Sequence, residues 1–394
     1  MTQNASTRRQ FLRSVGSGTL GLALCGALEA RSKDGKSLKH ALVYVGTYTT
    51  GKSEGIYLYR LNLFSGELTH LSTTPGVVNP SFLTLDPQKR YLYAVNEVTD
   101  FSGKPGGAVS AFAINRRTGA LQFLNQQPSL GGAPCYVTID RSARFILVAN
   151  YAAGNVSVLP LDRNGHLGSA TDVDQHQGSS INPNRQEGPH AHSIVLDRSN
   201  RYAYSCDLGT DKIMIYRFDS RKGKLTANRQ PFVQVKAGAG PRHFTFHPSG
   251  RYGYVMNELD ATITSFYCDS ANGTLEEAQT VHTLPPGFSE NNTTADIHVC
   301  PSGRFLYGSN RGHNSIVVFA IDQRTGKLRF IEHAATQGRT PRNFAIDPTG
   351  RFLLAANQDS DTIVTFRLDP PTGRLKPTGH VAQVPSPVCL KVSV

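Results

Sequence analysis

The chain has 394 residues, which is enough to bury one large hydrophobic core or two of medium size. Apolar residues make up 39% and charged residues 18%, with 37 glycines and 22 prolines, and this balance excludes a disordered chain and a coiled coil. Lys and Arg outnumber Asp and Glu by 41 to 29, so the net charge of +12 favours an anionic partner without choosing among a small acid, an anionic lipid and a nucleic acid.

The N-terminal segment has the pattern of an export signal. Arg8 and Arg9 precede a short apolar, glycine-rich run over residues 15–28, as in a twin-arginine signal. A membrane-spanning helix needs roughly 20 apolar residues, so this run predicts no stable membrane span. We therefore expect the twin-arginine translocation machinery to be a partner during export.

These features divide the chain into three parts. We assign residues 1–30 to the signal, with cleavage after Ala27 or Ala30, residues 31–40 to a linker, and residues 41–394 to one folded domain. The expected destination is the periplasm, and the protein is cytoplasmic if the signal does not function.

Residues 46–53 match the phosphate-loop pattern GxxxxGK[ST]. Such a loop needs a helix that begins at its lysine, so that helix N–H groups meet the phosphate. The alternating segment over residues 55–61 instead predicts a strand. We therefore predict no nucleotide site here, only a loop between two strands.

One unit of sequence recurs along the chain after residue 40. In its first signal an arginine, an aromatic residue and an Asx residue stand four, five and ten positions after an origin. The six origins are Asp86, Asp140, Asp197, His247, Cys300 and Asp347. In the second signal an apolar run ends in Asx and a glycine follows, at Asn62, Asn115, Asp162, Asp219, Asp269, Asp322 and Asp369. Units of about 51 residues, with period-two alternation between fixed turns, predict four β-strands per unit.

The count of the two signals indicates how the repeats close. The first unit begins at its second strand, over residues 41–45, and the C-terminal residues 386–392 match a first strand such as residues 79–85. We predict an all-β fold, a seven-bladed β-propeller closed by pairing of the N- and C-terminal strands in one blade, which removes exposed sheet edges. The chain contains no tryptophan, which excludes the WD40 class.

The cysteines predict no covalent framework. Five remain after signal cleavage, all within apolar, strand-like runs and without a CxxC pair: Cys135, Cys206, Cys268, Cys300 and Cys389. Such cysteines are typical of buried free thiols, so we expect neither disulfides nor a metal site.

Polar residues that break the repeat mark a candidate site. In each unit the start of the first strand and the end of the second lie at the same rim, and the first strand of a propeller blade is innermost. The start positions hold Ser81, Cys135, His192, Arg242, Ala295 and Arg342. The end positions hold Glu97, Tyr151, Leu208, Glu258, Arg311 and Gln358.

Four of these residues come from three successive blades and are expected to converge at the mouth of the central channel: His192, Arg242, Glu258 and Arg311. Arg242 and Glu258 flank one hairpin and should be close neighbours, although a purely structural ion pair is the alternative. Strand alternation places His190 on the same face as His192.

The remaining polar residues at the rim have a simpler interpretation, and two other kinds of site are not expected. Glu97 and Arg342 could line the channel without taking part in chemistry. A zinc site at His190 and His192 is not expected, because the sequence offers no clear third ligand. No run of basic residues supports nucleic-acid binding.

Several motifs resemble the seven-bladed lactonase family, which includes propeller-type 6-phosphogluconolactonases and fungal carboxymuconate-lactonizing enzymes. The motifs are VGTYT at residues 45–49, PHAHSI at 189–194, GPRH at 240–243, MNE at 256–258, TADIH at 294–298 and SNRGH at 309–313. The resemblance covers nearly everything from residue 41 to residue 394.

The resemblance implies a metal-independent enzyme without a cofactor, acting on acidic sugar lactones or related cyclic esters. It implies these catalytic residues: His192, Arg242, Glu258 and Arg311. We expect these residues to bind substrate: His190, Glu97, Asp296 and Arg342. The expected partner is thus a small anionic or sugar-lactone substrate, and no nucleic acid. A phosphorylated gluconolactone is a cytoplasmic metabolite, so the export signal leaves room for an unphosphorylated lactone.

Lactone hydrolysis needs a base for water and donors for the developing oxyanion. Glu258 or His192 is the expected base, and Arg242 and Arg311 are expected to hold the substrate's anionic group and the oxyanion. Two alternatives remain: lactone formation from an unsaturated dicarboxylic acid, and a non-catalytic propeller that binds a ligand or protein. A concave polar cavity would favour catalysis, and a flat apolar patch would favour binding.

Overall fold

The computed structural model of the protein describes residues 38–394. The predicted signal over residues 1–30, and the predicted linker as far as residue 37, lie outside the described residues. Residues Lys39–Val394 form one compact unit.

The described residues form seven four-stranded antiparallel sheets, each one blade. The strands of blades one to three are β30 (Pro387–Ser393), β1 (His40–Thr47), β2 (Gly55–Asn62), β3 (Leu68–Pro75); β4 (Leu83–Leu85), β5 (Tyr91–Asn96), β8 (Ala108–Ile114), β9 (Leu121–Pro128); and β10 (Pro134–Ile139), β11 (Phe145–Asn150), β12 (Asn155–Pro160), β13 (Asp172–Gln175). A short hairpin, β6 (Asp100–Phe101) and β7 (Lys104–Pro105), projects from blade two.

The remaining four blades repeat the same order. Their strands are β14 (Ala191–Leu196), β15 (Tyr202–Asp207), β16 (Lys212–Asp219), β17 (Lys224–Gln234); β18 (Pro241–Phe246), β19 (Tyr252–Asn257), β20 (Thr262–Asp269), β21 (Thr274–His282); β22 (Thr293–Val299), β23 (Phe305–Arg311), β24 (Ser315–Ile321), β25 (Leu328–Ala335); and β26 (Pro341–Ile346), β27 (Phe352–Asn357), β28 (Thr362–Leu368), β29 (Leu375–Gln383). Within residues 38–394 one 3-10 turn, Gln358–Ser360, occurs, and it connects β27 to β28 of blade seven.

The blades form a ring, because the first strand of each blade packs against the first strands of its two neighbours. The C-terminal strand β30 pairs with β1 in antiparallel register, with Val43 opposite Val392. The predicted seven-bladed propeller, and its closure by the two ends of the chain, are therefore confirmed.

The repeated origin residue caps the turn between the first two strands. In blade three the carboxylate of Asp140 accepts hydrogen bonds from the backbone N–H of Arg144 at 2.7 Å and of Phe145 at 2.8 Å. In four of the six repeats the guanidinium of the arginine lies over the aromatic ring that follows it and donates to a carbonyl in the next blade, as for Arg201 over Tyr202 at 5.4 Å. These four arginines therefore join neighbouring blades.

The phosphate-loop match is a loop between two strands, as predicted. Strand β1 ends at Thr47, and the next element is strand β2, which begins at Gly55. The hydroxyl of Thr47 donates to the carbonyl of Gly55 at 2.6 Å, which closes the loop on itself.

The five cysteines within residues 38–394 are unpaired; four are buried and Cys268 is partly exposed. Within the same residues, no helix has the length and apolar character needed to cross a membrane.

Candidate active site

The mouth of the central channel is built by a distortion that four blades share. The pairing of the first two strands shifts register at Cys135, His192, Arg242 and Arg342, so each of these residues is a β-bulge. A bulge redirects the side chain of the unpaired residue. Each of these blades therefore directs one side chain into the channel, and this side chain is a cysteine, a histidine or an arginine depending on the blade.

Of the four predicted catalytic residues, Arg242 and Arg311 contact the carboxylate of Glu258, and His192 joins them through Arg242. Arg242 Nη1 lies 2.5 Å from Glu258 Oε2, and Arg311 Nη2 lies 3.0 Å from the same oxygen. Arg242 Nη1 also lies 2.5 Å from Nε2 of His192. The expected proximity of Arg242 and Glu258 is thus present, and it is part of a larger charged cluster.

A third arginine contacts Glu258, and the repeat pattern did not predict it. Arg185 Nη2 lies 2.7 Å from Glu258 Oε1 and 3.2 Å from the Tyr151 hydroxyl. Arg185 belongs to the segment 176–190 between β13 and β14, where the spacing between repeats is longest. This longer spacing is the sequence feature that could have pointed to Arg185, because added loops of a repeat protein often carry the binding residues.

The charges around Glu258 determine its protonation. Burial would raise the pKa of the Glu258 carboxyl, but the arginines, led by Arg311 and Arg242, hold it well below its usual range. Burial lowers the pKa of Arg311 to about 9, and the charge of Glu258 opposes this shift. At neutral pH Glu258 is therefore ionised and Arg311 is still a cation.

His192 is a neutral imidazole. Burial, together with the charge of Arg242, lowers its pKa well below the usual value. A guanidinium can only donate, so Nε2 of His192 must accept from Arg242 and the proton must lie on Nδ1. Nδ1 faces the sulfur of Cys135 at 3.6 Å, whose thiol pKa burial raises. The Nε2 lone pair therefore points toward the arginine cluster.

Glu97 and Arg342 form a second polar group in the same cavity. Both carboxylate oxygens of Glu97 accept from the Tyr48 hydroxyl, at 3.1 and 3.0 Å, and Oε2 also accepts from the Ser81 hydroxyl. Arg342 Nη2 donates to the Tyr48 oxygen at 2.8 Å.

The structure does not bring His190 into the cavity. The strand begins only at Ala191 and the bulge at His192 interrupts the alternation that placed both histidines on one face. The His190 ring stacks on Tyr151 at 4.5 Å, and its Nδ1 lies 3.0 Å from the Tyr151 carbonyl. His190 therefore supports a cavity wall from behind.

Asp296 also lies away from the cavity, further along the innermost strands. Its Oδ1 lies 2.9 Å from His243 Nδ1, and its Oδ2 lies 2.9 Å from His298 Nε2 and 2.5 Å from the Asn343 amide. Because both oxygens are occupied, Asp296 ties together innermost strands β18, β22 and β26 of three successive blades.

Aromatic side chains at the innermost strands also pack against one another. Phe82 and Tyr136 stack at 4.2 Å, and His243 meets both rings edge-on. The cavity at the channel mouth has a volume of about 300 Å³ and is lined by Glu97, Cys135, Tyr151, Arg185, His192, Arg242, Glu258, Thr293, Arg311 and Arg342.

The molecule has larger clefts, but they differ in chemistry. One of about 370 Å³ lies among turn residues of blades four and five, such as Arg198 and Arg251. In the channel mouth, by contrast, arginines, carboxylates and a neutral histidine from different blades converge. We therefore place the functional site there. No group of three or more His, Cys, Asp or Glu within the described part of the chain could hold a metal ion.

Known proteins resemble this chain over most of its length. The model of the family described as lactonase, 7-bladed beta-propeller, matches residues 42–392. The chain is 38% identical over 301 residues to a Bacillus subtilis 6-phosphogluconolactonase, covering 76% of this chain and 83% of the relative. It is 37% identical over 307 residues to a Formosa agariphila 6-phosphogluconolactonase, covering 77% and 85%.

A solved structure shares the same architecture. The periplasmic gluconolactonase of Pseudomonas aeruginosa superposes with a TM-score of 0.85 at 36% sequence identity, covering 90% of this chain and 99% of that one.

Proposed function

The chain belongs to the seven-bladed β-propeller lactonase family, and we propose that its channel mouth hydrolyses a sugar-acid lactone. Relatives named 6-phosphogluconolactonase and gluconolactonase support a carboxylic-ester hydrolase. The observation that carries the proposal is the convergence of Arg242, Arg311, Glu258 and His192 in a concave polar cavity. A flat apolar face would instead have favoured a non-catalytic binding propeller.

The arginines are suited to the electrophilic part of the reaction. When water adds to a lactone carbonyl, negative charge develops on the carbonyl oxygen, and fixed donors in a buried site stabilise it. Arg242 and Arg311 present such donors, and Glu258 holds both side chains in place. Donors arranged before the substrate binds need little reorganisation in the transition state.

His192 is better suited than Glu258 to act as the base. Arginines contact both carboxylate oxygens of Glu258, so neither oxygen is free to accept a proton from water. His192 contacts one arginine, and its neutral imidazole has a lone pair on Nε2 toward the cluster. A bound carbonyl that draws the Arg242 donor would free this lone pair for water. His192 would take a proton as the C–O bond to the carbonyl carbon forms. It would return that proton to the ring oxygen as the ester bond breaks.

The first experiment tests the arginine cluster. Arg311→Ala and Glu258→Gln are each expected to lower kcat by about a hundredfold or more on δ-gluconolactones with and without phosphate, because each disrupts oxyanion stabilisation. Arg324→Ala, in an exposed turn of the same blade, is the matched control and should retain activity. Full lactonase activity in both cluster variants would reject the assignment.

A second variant separates the two candidate bases. His192→Gln should lower kcat by about 10²- to 10⁴-fold with little change in KM. The wild-type kcat/KM should stay constant as the pH is lowered through 6.5, because His192 is deprotonated well below that value. A rate that declines with an apparent pKa near 6.5 would contradict the assignment of His192.

We also propose that residues 1–30 direct export to the periplasm through the twin-arginine pathway. The support is the Arg8-Arg9 pair before an apolar run, together with the likeness to a periplasmic relative. Fractionation of cells that express the full chain should place it in the periplasm, and the double variant Arg8→Lys, Arg9→Lys in the cytoplasm. Identical fractionation of the two would refute the proposal.

A further inference from the structure

The four arginines of the cavity fall into two groups. Arg185, Arg242 and Arg311 each contact Glu258 within 3.0 Å. Arg342 lines the same cavity, yet no carboxylate of residues 38–394 lies within 4 Å of its guanidinium. Arg342 is therefore the cavity cation that has no ion-pair partner within the described residues.

Neutral contacts hold Arg342 in place. Its Nη2 donates to the Tyr48 oxygen at 2.8 Å, and its guanidinium carbon lies 5.3 Å from the centre of the Tyr48 ring. The Tyr48 hydroxyl donates in turn to Glu97, so Arg342 meets the nearer carboxylate only through a tyrosine. These contacts fix the guanidinium plane while most of its five N–H donors stay available.

The charge of the cavity as a whole fits an acidic ligand. Four guanidinium groups face two carboxylates, and His192 is neutral, so the lining carries a surplus of two positive charges. A guanidinium fork binds a phosphate or carboxylate through two parallel hydrogen bonds. This surplus would balance the two negative charges of one phosphate dianion.

We propose that Arg342, oriented by Tyr48, binds the acidic group of the substrate, while Arg242 and Arg311 act on the lactone carbonyl. This inference rests on the proposed lactonase function and divides the roles of the arginines differently from the sequence analysis, which gave both tasks to Arg242 and Arg311. The ligand chemistry is a phosphoryl or carboxylate group carried on a sugar-acid lactone.

Binding of the stable hydrolysis products tests the anchor independently of turnover. Calorimetric titration with gluconate, 6-phosphogluconate and glucarate compares a hydroxyl, a phosphoryl group and a carboxylate at the same carbon. The wild type should bind 6-phosphogluconate or glucarate about tenfold to a hundredfold more tightly than gluconate, the range of one charge-assisted contact. The preferred ligand identifies which acidic group the site takes.

Arg342→Gln should abolish that preference while leaving the affinity for gluconate within about twofold. Arg339→Gln removes the same charge from an exposed position three residues earlier and should keep the preference. Tyr48→Phe keeps the ring but loses the hydroxyl, so it should weaken the preference by a smaller factor. In lactone assays the loss in Arg342→Gln should appear in KM rather than kcat.

The outcomes separate this inference from the proposed function. Equal wild-type affinity for all three products, or a preference that survives in Arg342→Gln, overturns the anchor. Lactone hydrolysis by a wild type without such a preference leaves the proposed function standing. A wild type that binds the phosphorylated product through Arg342 but hydrolyses none of the lactones refutes the lactonase function alone.

Discussion

Among single residues, the two glutamates of the cavity differ in the groups that surround them. Glu258 and Glu97 are both glutamates at the end of a second strand, yet one contacts three arginines and the other accepts hydrogen bonds from two hydroxyl groups. A carboxylate surrounded by guanidinium groups binds a proton weakly, so Glu258 is ionised at neutral pH and holds three arginines in place. Burial and the charge of Arg242 keep His192 neutral, so its Nε2 carries a lone pair rather than a proton.

The lowered pKa values of two buried histidines should make the free energy of unfolding depend on pH. Burial lowers the pKa of His243 to about 4 despite the adjacent Asp296, and that of His192 lies well below 6.5. Between pH 6.5 and about 4 the unfolded chain therefore binds more protons than the folded one. The stabilisation that comes from keeping these histidines neutral is fully present above pH 6.5. It is lost as the pH falls toward 4, and for His243 this lowers the free energy of unfolding by about 3 kcal/mol.

Urea denaturation at several pH values measures this effect. His243→Asn should reduce the dependence of the unfolding free energy on pH between 6.5 and 4, whereas His40→Asn, at an exposed position, should leave it unchanged. The same slope in His243→Asn and the wild type would show that His243 does not titrate in this window.

At the scale of the elements, a repeated turn and a repeated bulge have opposite roles. The turns between first and second strands lie at the rim opposite the cavity and join neighbouring blades through arginine and aromatic side chains. Each such aromatic ring packs on a glycine of the next blade, as Tyr202 packs on Gly273. The bulges at the other rim occur in four blades, and the four side chains that they redirect all line the cavity.

The glycine contact gives a prediction for one blade interface. Gly273 has φ +68° and a Cβ there would lie 2.3 Å from the Tyr202 ring, while Gly379 has φ +84° and open space around it. Gly379→Ala should cost about 1 kcal/mol from backbone strain, and Gly273→Ala a further 1–3 kcal/mol from the clash. Chemical denaturation measures both, and KM should not change in either variant. Equal losses would mean that the interface relaxes around the added methyl group.

At the scale of the whole molecule, the ring depends on its last strand. Strand β30 fills the innermost position of the first blade and contacts the innermost strands of both neighbouring blades. Without it, β1 would present an open edge and the channel would lose one of its seven walls.

Truncation tests this closure. Removal of residues 386–394 should abolish cooperative unfolding, because the blades stabilise one another only in a closed ring. Removal of Val394 alone, which is 49% exposed, should have no effect. Thermal melts followed by circular dichroism distinguish the two variants, and a wild-type melting temperature in the longer truncation would show that the ring tolerates an open blade.

The amino-acid sequence was sufficient to predict the fold and the position of the candidate site, since both are periodic. Turn residues and alternating apolar runs recur at fixed offsets, so they predict the blades, their closure and the slots at the channel mouth, including Glu97, His192, Arg242, Glu258, Arg311 and Arg342. These properties depend on local spacing, which the sequence displays directly.

The three-dimensional packing was needed to show which of these side chains contact one another. Arg185 reaches Glu258 from a non-repeating loop, and the bulge at His192 separates it from His190. Whether an arginine pairs with a carboxylate, as Arg242 does, or lacks a carboxylate partner among the described residues, as Arg342 does, depends on distances across several blades. Local spacing cannot encode such distances, because they are set by how separate parts of the ring pack together.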